Sequence, residues 1–200
     1  MHTTIALACH LEETVKGSRF LAFAFPVSTP DSATENVNEL RAKYPTATHV
    51  CWAYRLGSEY RFSDDGEPTG TAGAPMYRVL EGSGLDCVLV AVVRYFGGVK
   101  LGAGGLVRAY AGAVRSLLQQ VERVEVHVWC RIRVEVPFEW IHAVYRLGKM
   151  FSVVFREEIY RAADVHCVLE VMEKDQAEFE AVLRDWTRGR AVCVLETVEG

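Results

Sequence analysis

Residues Arg94 to Tyr110 read RYFGGVKLGAGGLVRAY, and the rest of the chain is organised around this stretch. Gly97, Gly98, Gly102, Gly104 and Gly105 separate a near-continuous apolar run, Cys87 to Val93, from an alanine-rich segment whose spacing predicts a helix starting near Gly105. Glycine loses more backbone freedom on folding than alanine, so such a cluster implies positive-φ positions or a surface that another group approaches closely. Arg94 leads into the turn, and Lys100 and Arg108 bracket it. Free N–H groups at a helix N-terminus, sharing one space with fixed positive charges, make an anion site. The same glycines also suit a packed turn that admits a neighbouring backbone, and the residues alone leave both readings open.

Outside this stretch the composition is that of an ordinary soluble globular chain of one or two domains. Half of the 200 residues are apolar, 24% are charged, and 22 basic against 26 acidic side chains leave a net charge of −4. Bulk charge therefore excludes simple polyanion binding, and a nucleic-acid role needs a local basic face. The apolar run Cys87–Val93 is far short of the roughly 20 residues that span a bilayer, so no membrane partner is expected. Met1-His2-Thr3 opens no signal peptide, because no basic segment precedes a long apolar one. Cys9, Cys51, Cys87, Cys130, Cys167 and Cys193 are scattered without a CxxC pair and read as reduced thiols of a cytoplasmic protein.

In chain order, Thr14–Val27 alternates as one strand, and Pro30-Asp31-Ser32 opens a helix carrying Val37, Leu40 and Tyr44 that Pro45 stops. Thr48–Arg55 and Glu59–Phe62 form a hairpin around Gly57-Ser58. A polar loop, Ser63 to Gly70, leads to Thr71 as the predicted N-cap of a helix that holds Pro75 in its first turn and ends at Gly82-Ser83-Gly84. After the glycine stretch, Leu106, Tyr110, Ala113, Val114 and Leu117 face a core, while Arg108, Gly112, Arg115 and Gln119 share another helix face. Strict alternation from Val124 to Val136 then marks a strand in a new domain, followed by a helix closed by Gly148, strands Phe151–Glu158 and Asp164–Met172, a helix with Phe179, Val182, Leu183 and Trp186, and a strand Arg190–Val198. The expected domains are 1–123 and 124–200, and the order βαββαβ in the second predicts a ferredoxin-like fold. Residues 1–123 hold twelve basic and twelve acidic side chains, and 124–200 hold ten and fourteen.

The glycine stretch is neither a P-loop nor a dinucleotide fingerprint. Lys100 precedes Gly102 with no adjacent hydroxyl residue to hold magnesium, and the third glycine of GxGxxG is missing. Asp64, Asp65 and Glu67 could hold a divalent cation, but they fit better as caps of the Thr71 helix and as partners of Arg61, Arg94 or Arg108. His49 reads as a satisfied core or interface histidine. Cys51 shares its strand face and would permit a Cys–His pair, yet neither an oxyanion hole nor a third member is visible. Trp129 between His127 and Arg131 could offer a stacking surface, although a sheet-face role is simpler.

Two long motifs then carry a resemblance. Phe62–Pro75, FSDDGEPTGTAGAP, and Val93–Tyr110, VRYFGGVKLGAGGLVRAY, occur in the order found in the IMPACT/YigZ family, and Lys16-Gly17-Ser18-Arg19-Phe20 and Ala47-Thr48-His49 resemble its early motifs. The likeness covers about residues 14–120; residues 124–200 are similar to the C-terminal domain of the bacterial YigZ-like branch. It implies an α+β chain of two domains: an N-terminal ribosomal-protein-type α+β sandwich like elongation factor G domain IV, and a ferredoxin-like domain like its domain V. It also implies a link to translation. The leading expectation is a non-enzymatic cytoplasmic regulator that binds RNA, a ribosomal surface or a translation factor through Arg94, Gly97, Gly98, Lys100, Gly102, Gly104, Gly105, Arg108 and Arg115, with Lys16, Arg19, His49, Arg61, Asp64, Asp65, Glu67 and Thr71 as an associated polar cluster. No catalytic residue, metal or cofactor is assigned. An enzyme acting on a phosphorylated or carboxylated small molecule with His49 and Asp65 as acid and base is the alternative, and an interaction module using the acidic second domain is another.

Overall fold

The computed structural model describes residues 2–196. Contacts divide the chain into two compact units, His2–Val126 and the residues from His127 onward. In the first unit a five-stranded antiparallel sheet has the order β2(Cys9–Val15), β3(Ser18–Pro26), β6(Val88–Tyr95), β4(His49–Leu56), β5(Glu59–Ser63). Central β6 is buried on both faces, which is why Val88–Val93 reads as an unbroken apolar run. Helix α1(Pro30–Lys43) covers one face, packing Ala33, Val37 and Leu40 over Leu21, Phe23, Leu89 and Val93. Helices α2(Gly73–Gly82) and α3(Ala103–Leu118) cover the other, where Met76, Leu80, Leu106, Tyr110 and Val114 meet Phe20, Cys51, Val90 and Val92. The result is a three-layer sandwich.

Three sequence readings change here. The single strand drawn from Thr14 is a hairpin, β2 and β3, turning at Lys16-Gly17, where both residues have positive φ (47° and 81°). Alternation continues through the turn, so periodicity alone hides it. The strand drawn from Val124 to Val136 is likewise two: β7(Arg123–Val126) pairs with β1(His2–Ile5) inside the first unit, and β8(Trp129–Pro137) belongs to the second. Helix α1 opens at Pro30, as the Pro30-Asp31-Ser32 run suggests, but its N-cap is Thr29, just ahead of that run, exchanging hydrogen bonds with Ser32.

The second unit has the order β8, α4(Ile141–Met150), β9(Val154–Tyr160), β10(Asp164–Met172), α5(Gln176–Trp186), β11(Val192–Glu196), with the antiparallel sheet order β11-β8-β10-β9. This is the ferredoxin-like arrangement that the alternation predicts. Val144, Leu147, Phe179 and Leu183 of the two helices bury one sheet face. Gly148 does not close α4, which continues to Met150; a Cβ there would lie 2.6 Å from the Phe155 ring, so the glycine makes room for that side chain. The last strand is described to Glu196, and Thr197 and Val198 lie outside the described residues.

Candidate functional site

The loop Ser63–Thr71 closes over the α2–α3 side of the sheet, and each of its three carboxylates is held by the protein. Asp64 Oδ1 accepts from the N–H groups of Ala72 (3.0 Å) and Gly73 (2.8 Å), and Oδ2 from that of Gly70 (2.7 Å). Asp64, not Thr71, therefore caps α2; the Thr71 hydroxyl donates instead to the Pro68 carbonyl at 2.6 Å. Asp65 Oδ2 accepts from Val50 N–H (2.7 Å) and Oδ1 from Arg41 (2.8 Å), a partner on α1 that the sequence did not suggest. Glu67 is buried, and its Oε1 accepts from Arg94 Nη1 and from the Tyr110 hydroxyl (2.7 Å).

These bonds decide several candidates. With their oxygens aimed at separate donors, Asp64, Asp65 and Glu67 do not converge on a cation position, and among the described residues no cluster of three acidic, histidine or cysteine side chains could hold a metal ion. Both Asp65 oxygens are engaged by structural donors, which gives the carboxylate a fold-holding role. His49 Nδ1 lies 2.8 Å from the Asp65 carbonyl and so carries its proton there, leaving Nε2 3.9 Å from Glu67 Oε2. Cys51 is fully buried, donates to the Asp64 carbonyl (3.0 Å) and touches the Tyr110 hydroxyl (3.4 Å). Burial pushes its thiol up to about 12, partly offset by Tyr110 and reinforced by Glu67, Asp65 and Asp64. A thiolate nucleophile is thus excluded at neutral pH. Cys51 is accordingly expected to react with a disulfide reagent at pH 8 only after denaturant is added; stoichiometric labelling of the native protein at this residue, read by mass spectrometry, would contradict the arrangement.

Arg94 takes one of its two expected roles and not the other. It pairs with the acidic loop, through Glu67, and does not join Lys100 and Arg108 in facing an anion: it is 5% exposed and seated against the Phe20 and Phe96 rings at 5.5 and 5.8 Å. Its charge is already neutralised. Gly97 answers to the packing reading: a Cβ there would lie 1.9 Å from the Gly17 carbonyl carbon, because the Lys16-Gly17 turn crosses it in backbone contact. Ser18 Oγ, from that turn, receives the Gly97 N–H at 3.1 Å and lies 3.4 Å from Arg94.

Beyond Gly97 the loop opens outward. Phe96, Gly98, Val99, Lys100 and Gly102 are exposed, and Gly98 and Gly102 adopt positive φ (84° and 71°) with open space where a Cβ would stand. Helix α3 begins at Ala103, two residues before the expected start, with Gly102 as N-cap and no side chain bonded to its first amides. At the neighbouring helix start Asp64 takes the amides of Ala72 and Gly73. Exposed Lys100 and Arg108 stand at this bare helix start, and the crossing at Gly97 brings the turn bearing exposed Lys16 against the same loop. From Cys87 to Val121 the chain has no acidic residue at all. Among the described residues Lys16, Lys100 and Arg108 form no ion pair, whereas Arg19 pairs with Glu12 (2.7 Å) and Arg61 with Glu59 (3.5 Å) on edge strand β5. Arg115 lies two turns farther along α3, in a groove facing α2.

The Impact N-terminal domain matches residues 16–118, which include both loops and all of α3. The chain belongs to the IMPACT family. An IMPACT family member from Thermus thermophilus is 41% identical over 177 residues, covering 88% of this chain and 97% of that one. YigZ of Escherichia coli is 33% identical over 183 residues, covering 88% and 89%. A crystal structure described as that of a hypothetical protein superposes with a TM-score of 0.67 at 31% identity, spanning 99% of this chain and 98% of the other. The FSDDGEPTG run is therefore, in this chain, a set of internal caps and ion pairs, while the glycines from Gly98 onward form its outward surface. Sequence reasoning missed Ser18, Arg41 and the Tyr110 hydroxyl; the one available signal was a tyrosine, not a phenylalanine, in the buried stripe of α3.

Proposed function

We propose that this protein is a non-enzymatic, translation-associated binder of RNA, which it engages through the Phe96–Gly105 loop, the amides at the start of α3, and Lys16, Lys100 and Arg108. The observation that carries this reading is the set of unpaired cations around an uncapped helix N-terminus, in a stretch free of acidic residues. Phosphate oxygens suit such amides and cations, and the exposed Phe96 ring supplies a face on which a base can stack. Charges on the sheet of the second unit contrast with this surface: Arg133 pairs with Glu196, and Arg131 and Arg156 both bond to Glu170, so each of these arginines already holds a carboxylate. The link to translation rests on what the resemblance to elongation factor G domains IV and V implies.

The test is binding of a single-stranded RNA oligonucleotide and of purified ribosomes across a salt series. Lys100→Ala/Arg108→Ala is expected to weaken binding at least tenfold at about 0.1 M salt and to flatten the slope of log K against log salt by roughly 1–2, as the loss of two phosphate contacts requires. Both substitutions are on exposed side chains, so the melting temperature should hold. Equal affinity in wild type and variant, or no binding by either, would overturn the proposal.

A further inference from the structure

A second feature lies outside that surface. The outer crease between α2 and α3 is a groove of about 480 Å³, a volume in the range that accepts a small organic molecule. Val79, Val107, Ala111 and Leu118 form an aliphatic floor, and Arg78, Arg115 and Arg123 contribute the cationic side chains of its lining. Helix α3 carries no acidic residue. The one acid of α2, Glu81, accepts from the Tyr77 hydroxyl (3.1 Å), whose ring stacks on Tyr60 of β5, on the flank away from α3. Arg123 Nη1 donates to the Ser83 carbonyl at 3.0 Å, which holds that guanidinium in place without neutralising it. Among the described residues none of the three arginines forms an ion pair.

From this combination we infer that the α2–α3 groove binds a small organic anion, a carboxylate or phosphate monoester carrying an aliphatic or aromatic body. Guanidinium forks match the planar or tripodal oxygens of such a group, and the floor removes its apolar body from water. An RNA strand fits less well, because nothing aromatic in the lining offers a stacking face and the aliphatic floor would go unused. The site is independent of the RNA surface: Arg108 does not line it, and Arg115 is seven residues on, about 10 Å along the helix axis.

The probe is anilinonaphthalene sulfonate, which joins an aromatic body to an anionic group, with decyl phosphate as competitor. Saturable one-to-one binding is expected, displaced by decyl phosphate but not by decanol. Arg78→Ala/Arg115→Ala should weaken it at least tenfold, and Ala111→Trp, which fills the floor, should abolish it with the melting temperature preserved. The control Lys100→Ala/Arg108→Ala should bind the probe like wild type, so failure here and failure of the RNA reading remain distinguishable. No saturable binding up to 1 mM probe, equal displacement by decanol, or equal binding by the arginine variant would overturn the inference. So would probe release accompanied by dimerisation in sedimentation, which would assign the groove to a second copy.

Discussion

Replacing Glu67 by alanine is expected to cost about 3–5 kcal/mol of folding stability, the range for removing one partner of a buried ion pair. The reason is local. Arg94 is 5% exposed, its Nε has no hydrogen-bond partner among the described residues, and Glu67 is its one carboxylate, so the variant leaves a buried guanidinium uncompensated. The Tyr110 hydroxyl loses its acceptor in the same step. Arg94→Ala should be similarly damaging through the converse burial of a carboxylate, and the double variant should cost clearly less than the sum of the two. Urea unfolding followed by circular dichroism measures all three. A loss below about 1 kcal/mol for Glu67→Ala would mean that water reaches the pair, because an exposed pair contributes no more than this.

Gly97→Ala should also exceed the usual range for a loop substitution, by at least about 3 kcal/mol, since the neighbours its Cβ would meet are backbone and cannot rotate away. That Cβ would stand 1.9 Å from the Gly17 carbonyl carbon and 2.2 Å from Ser18 N. Accommodating it separates the β2–β3 turn from the loop and breaks the Gly97 N–H to Ser18 Oγ bond. Gly98→Ala is the matched control: its φ of 84° is strained for alanine, but its surroundings are open, so it should cost only about 1–2 kcal/mol. Gly97 itself has no positive φ, so equal losses at the two positions would show that the backbone crossing adds nothing beyond an ordinary left-handed penalty and would contradict the assignment. A folded Gly97→Ala protein with weakened RNA binding would further tie this crossing to the placement of Lys16 beside the loop.

Much of the architecture was legible in the residue pattern, because each element announces itself within its own length. Alternation and turn residues give the βαββαβ order of the second unit, and the unbroken apolar run gives the doubly covered β6. Spacing of three and four places Leu106, Tyr110, Val114 and Leu117 in the core. Where a pattern runs on without a local interruption it misleads: alternation crosses the Lys16-Gly17 turn and the break at residues 127–128, and only pairing with β1 assigns Arg123–Val126 to the first unit.

The candidate site was legible in its residue types and not in their states. Charge and glycine content mark Arg94, Lys100 and Arg108 alike, since a sequence records which ionisable groups exist but not which have found a partner. Arg94 meets Glu67 from 27 positions away and Ser18 from 76, and that meeting takes it out of the set of free cations. Gly97 and Gly98 are identical neighbours in the chain, yet one is a backbone crossing and the other faces open space. The amino-acid sequence by itself therefore determined the elements, their order and the family. Tertiary structure alone decided which charges are cancelled and which helix start is left bare, because burial and pairing are set by residues that only folding brings together.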